Sequence, residues 1–142
     1  MNELNHQNSQ SNFRYFLWHS AFLALTTNFM DVDTVIPSLL IKAGGSSVLL
    51  GLLTAIMVGG ASLFQLVFAG YLSGKNYKKK FLLLGINLRI FALLLLALLL
   101  FTTIALSNSL IILFIFLGIS VFSLSGAFAN VSYIDILGKS IH

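Results

Sequence analysis

Long apolar runs separated by very short polar turns constrain this chain more than any other feature in it. From Val48 to Ser73 there is no charged side chain, and from Phe81 to Leu106 there is only Arg89. A helix that crosses a hydrocarbon core of ~30 Å needs about 20 such residues. Soluble domains carry about 25% charged residues. Here 8% of 142 residues are charged, 58% are hydrophobic and the mean hydropathy is +0.97. The pattern predicts an all-α integral membrane protein with four transmembrane helices, over residues 13–41, 48–73, 81–106 and 110–137. Residues 1–12, polar and without a basic side chain, read as a disordered cytoplasmic tail. The lipid bilayer of the cell membrane, plasma or inner, is the expected surrounding.

Charge placement sets the expected orientation. Arg14, Lys75, Lys78, Lys79, Lys80 and Lys139 fall at one set of helix ends, and Lys42 alone falls at the other. Lys and Arg near the ends of spans are retained in the cytoplasm, which predicts an N-in, C-in bundle. The net charge of +4 then serves orientation and contact with anionic headgroups, and implies no nucleic-acid partner. With no cysteine and three histidines, of which His6 and His142 lie in the polar ends, no metal site, haem or other cofactor is expected.

The polar residues inside the runs are the candidates for function. The first run carries His19, Thr26, Thr27, Asn28, Asp31, Asp33, Thr34 and Pro37. A carboxylate at the centre of a membrane helix costs about 2.5–3.5 kcal/mol on insertion scales, so it marks a site unless it lies near the surface, paired or solvated. The helical period places Asp31 on a stripe with Ser20, Thr27, Thr34 and Ser38, and Asp33 on another with His19, Thr26 and Pro37. Pro37 is expected to kink the helix and free the carbonyl of Asp33. Asp31 and Asp33 are therefore candidates for proton coupling or substrate binding, with Asn130 and Asp135 of the last run as secondary contributors. Desolvation of the acid would link its protonation to substrate binding. Arg89 is expected either to snorkel towards the headgroups or to pair with an acid, Asp135 first and Asp31 or Asp33 after it. Gly51, Ala55, Gly59, Ser62 and Ala69 form a small-residue ridge suited to close helix approach. Ser123 and His19 alone do not make a hydrolytic triad, so no catalytic residue is assigned.

The stretch GYLSGKNYKKK, Gly70 to Lys80, resembles the loop between the second and third helices of the major facilitator superfamily of transporters, whose pattern is G-x-x-x-D-(R/K)-x-G-(R/K)-(R/K). Gly70 matches the first glycine, Lys75 the first basic position, and Lys78 and Lys79 the closing pair. Gly74 stands in place of the family's aspartate and Tyr77 in place of its second glycine. The run Asp31-x-Asp33-Thr34-Val35-Ile36-Pro37, the glycines Gly45 and Gly51, and Gln65-Leu66 extend the likeness over most of the chain. The resemblance implies that the first and fourth helices line a central cavity, that the third faces lipid, and that a small solute is moved by alternating access. It also implies about twelve helices in two halves. On that expectation this chain corresponds to an incomplete N-terminal half that does not transport without the remainder of the carrier. Two other readings stay open: a self-sufficient four-helix multidrug exporter acting as a dimer, and a non-transport membrane assembly subunit.

Overall fold

The computed structural model describes residues 6–75, 77–101 and 106–140. All regular structure among them is helical: α1 (His6–Phe29), α2 (Val35–Lys42), α3 (Ser47–Thr54), a π-helical turn (Ala55–Gly60), α4 (Ala61–Ser73), α5 (Lys79–Phe101) and α6 (Asn108–Ser140). Three stretches are long and apolar enough to cross a membrane: Ser47–Ser73, Lys79–Phe101 and Asn108–Lys139, of 27, 23 and 32 residues. At about 1.5 Å per residue the shortest of these still spans the hydrocarbon core.

The first expected span is the exception. Residues 13–41 do not form one helix: α1 ends at Phe29 and α2 starts at Val35. The break is built by Asp31. Its carboxylate accepts hydrogen bonds from the Thr34 hydroxyl at 2.6 Å, the Thr34 amide at 2.8 Å and the Asp33 amide at 3.1 Å. An aspartate that binds the backbone two and three residues ahead stabilises a turn at the expense of a helix. Pro37 then falls in the first turn of α2, where a missing N–H leaves no helical bond unmade. The proline thus starts a helix instead of kinking one. At the other end, α1 begins at His6, so residues 6–12 of the expected tail are helical.

Packing is concentrated at the α2 end of the molecule. Ile36, Leu40, Leu53, Met57, Ala92, Leu96, Ile115, Ile119 and Phe122 form one apolar cluster contributed by α2, α3, the π turn, α5 and α6. Helices α5 and α6 lie closely side by side. A Cβ on Gly85 would sit 2.8 Å from the Ala129 Cβ and 3.0 Å from the Ser125 carbonyl oxygen, so only glycine permits this approach. The expected ridge along the second span has no such role among the described residues, where a Cβ on Gly51 or Gly59 would meet nothing within 4 Å. Helix α1 stands apart from the cluster and touches α6 through Tyr133, against which Phe16 packs edge-on and His19 stacks.

Candidate functional site

Below the apolar cluster, towards the lysine-rich loop, α1, α4, α5 and α6 separate around a cavity of about 740 Å³. That volume lies within the ~300–1,000 Å³ range of small-molecule sites. Its walls are mostly apolar, with a few polar side chains from each element: His19, Thr26 and Thr27 from α1, Ser62 and Gln65 from α4, Arg89 from α5, and Ser123, Asn130 and Tyr133 from α6. A second groove of about 470 Å³ between α5 and α6 is lined by Leu, Phe, Ala, Val and Gly118 alone.

Several of the polar groups already have partners within the protein. Thr26 and Thr27 donate to carbonyls three or four residues back in α1, and Asn28 does the same. The Ser123 hydroxyl donates to the Met57 carbonyl at 2.9 Å. That acceptor lies in the π turn, where the widened backbone no longer follows the regular i to i−4 ladder. The hydroxyl is therefore a bridge between α6 and the second span, and not a nucleophile beside His19. The Ser20 and Tyr133 hydroxyls lie 3.2 Å apart and join α1 to α6.

Arg89 and His19 are different. The Arg89 guanidinium sits 4.5 Å above the Phe122 ring, and Nε reaches the Phe122 carbonyl oxygen at a long 3.4 Å. It rests on Gly126, where an added Cβ would fall 2.5–2.8 Å from Nη2, Cζ and Nε. The side chain thus stays at its own level against α6 and does not snorkel away. The expected acid is not its partner. Asp135 instead pairs with Lys78 at 2.9 Å and with Lys139 at 2.8 Å, and Arg89 makes no ion pair among the described residues. Nδ1 of His19 is buried with no hydrogen-bond partner among the described residues.

The structure therefore gathers one of the four sequence candidates, Asn130, into the cavity with Arg89. Asp31, Asp33 and Asp135 do not line it. Asp31 serves the turn between α1 and α2, and Asp33 is exposed beside it. Of the loop residues, Gly70 lies inside α4 with open space at its Cβ position, since that helix continues to Ser73. Lys75 lies 5.1 Å from the centre of the Tyr71 ring. Lys79 is the first residue of α5. Lys78 reaches back to Asp135, so the loop is latched to the end of α6 by the cation at 78 and the acid at 135. The π turn has a visible cue in Gly59-Gly60, a glycine pair inside an apolar run, which marks a place where a helix distorts easily. Comparison with protein-family models, with curated proteins and with solved structures finds no match to this chain.

Proposed function

We propose that this chain forms one wall of the solute path of a secondary active transporter of the major facilitator kind, in which α1 and α2 together supply a fourth crossing, with both termini inside. The observation that carries the reading is the cavity. A small-molecule volume, polar on the faces of α1 and α6 and closed at one end by a tight apolar cluster, lies in the middle of helices that otherwise present Leu and Phe outwards. The apolar cluster lies at the Lys42 end of the cavity, and the lysine loop lies beyond its other end. Helix α1 meets α6 chiefly at Tyr133. Alternating access rocks one helix bundle against another around a midplane site. The exposed apolar faces of α1, α3 and α4 are where further helices of the carrier would pack.

The test uses the absence of cysteine from the sequence. Single cysteines at Asn130 and Ser62, in membranes, should react with small hydrophilic methanethiosulfonates, while a cysteine at lipid-facing Leu95 should not. If the Asn130 and Ser62 cysteines stay unreactive while one at Tyr77 reacts, the cavity is dry and the transport reading fails. Saturable, gradient-driven uptake by the reconstituted chain alone would favour the four-helix exporter over a partial carrier wall.

A further inference from the structure

We propose that the cavity binds an oxyanion, a carboxylate or phosphate group, with Arg89 as its principal contact and His19 and Asn130 beside it. This deepens the transport reading by naming the charge of the solute, and it rests on that reading for the cavity being open to water.

A guanidinium offers five N–H donors in a planar fork that fits carboxylate and phosphate two bonds at a time. At Arg89 one donor makes a long bond to Phe122 and the face is covered by the Phe122 ring. The terminal nitrogens make no hydrogen bond to any described residue, and Gly126 leaves the space for the guanidinium. No acid among the described residues lines the cavity. The acids that might have offset the charge are engaged elsewhere or lie outside the cavity: Asp135 holds two lysines, Asp31 holds a turn, and Asp33 is exposed away from it. A cation in an apolar setting is costly unless a counter-charge reaches it. His19 adds an independent sign of a missing partner, because its buried Nδ1 lacks one and the ring lines the same cavity. A ligand oxyanion supplies the partner that the guanidinium lacks, and an apolar solute does not.

The shared chemistry is the oxyanion, and its source is either a soluble solute or a lipid headgroup. The chain has two arginines, Arg14 and Arg89, so phenylglyoxal modification followed by mass spectrometry reads Arg89 with Arg14 as internal control. In dodecyl maltoside micelles free of phospholipid, inorganic phosphate or succinate should slow modification of Arg89 and leave Arg14 unchanged. Chloride at equal ionic strength should not protect. At about ten times its Kd the anion slows the reaction about tenfold. Protection that appears only when phosphatidylglycerol is added supports the oxyanion site and assigns it to a headgroup. Titration calorimetry with the same probes should show binding by the wild-type chain, about tenfold weaker binding by Arg89→Lys, which keeps the charge and loses the fork, and none by Arg89→Gln. Equal modification rates with and without every anion overturn the proposal, as does an Arg89 that resists phenylglyoxal with no anion present. If the Asn130 cysteine is reactive but Arg89 is never protected, the anion assignment falls while the transport reading stands.

Discussion

Replacing Gly85 by alanine isolates the closest helix contact in the fold. Two effects of opposite sign act at once. Alanine is a better helix former than glycine by about 0.8–1.0 kcal/mol, which favours the variant. Against this, the new Cβ would lie 2.8 Å from the Ala129 Cβ, 3.0 Å from the Ser125 carbonyl oxygen and 3.1 Å from the Ala129 Cα. Two of those three atoms are backbone, and the third is fixed to it, so no rotamer change relieves the clash. Helices α5 and α6 must separate, and overpacking of this kind costs about 1–3 kcal/mol. Gly51→Ala makes the same change of propensity on α3 with nothing within 4 Å of the new methyl. The difference between the two variants therefore reports the packing term alone, and should be about 1–3 kcal/mol against Gly85→Ala. Unfolding in mixed dodecyl maltoside and dodecyl sulfate micelles measures it. If Gly85→Ala is as stable as Gly51→Ala to within about 0.5 kcal/mol, α5 and α6 do not approach each other as closely as described.

Further outcomes follow from the loop, the latch and the turn. A cysteine at Tyr77, an exposed loop position, should be blocked from impermeant thiol reagents added outside intact cells; labelling there would reverse the proposed orientation. In a double-mutant cycle, Lys78 and Asp135 should couple more strongly than Lys139 and Asp135. Lys78 is largely covered, with 13% of its side chain exposed, whereas Lys139 is 69% exposed, and exposed i,i+4 pairs contribute only about 0.3–0.5 kcal/mol. Equal coupling energies would argue against the latch. Asp31→Ala should destabilise the chain by about 1 kcal/mol, the usual effect of losing a side-chain acceptor for orphan backbone donors, and Asp33→Ala should do so much less. Equal losses would remove Asp31 from its structural role. Ser123→Ala should weaken the α6 bridge to the π turn by roughly 0.6 kcal/mol, a typical interhelical bond in a membrane protein; no change on unfolding would show the bond to be idle.

Three of the four expected spans were legible because length and hydropathy decide them, and residues 48–73 and 110–137 lie within the observed helices almost end to end. The third run was expected to 106, and its last part, residues 102–105, lies outside the described residues. The failure of residues 13–41 to form a single helix has a specific cause. Spacing alone counted Asp31, Asp33 and Pro37 as features of one helix, but Asp31 has a local alternative, its own downstream amides and the Thr34 hydroxyl, which competes with the helical ladder. The Asp-x-x-Thr spacing was readable as a turn signal; the length of the surrounding apolar run outweighed it.

The site was harder to read, for a different reason. Helical periodicity ranks faces within one helix but does not say which face of the next helix it meets. Ser123, Gly126 and Asn130 were correctly grouped on one stripe of α6, yet that stripe gave no sign that Gly126 makes room for Arg89. Depth along the membrane placed Asp135 near Arg89, and the chemistry of opposite charges made the pair attractive. What decided otherwise was the loop: Lys78 precedes α5 by one residue and reaches Asp135 first, with Lys139 one turn further along α6 on the same carboxylate. Two lysines thus share one acid at this end of the bundle. Arg89 stands roughly 15 Å along α5 from its first residue and makes no ion pair among the described residues. The acid is also too far along α6 to compensate the guanidinium, which rests on Gly126, roughly 13 Å up the helix from Asp135. Replacing Lys78 and Lys139 together by alanine should free Asp135. The freed acid should stay out of reach of Arg89 and leave its protection by phosphate undiminished; loss of that protection would show that latch and cavity are electrostatically linked.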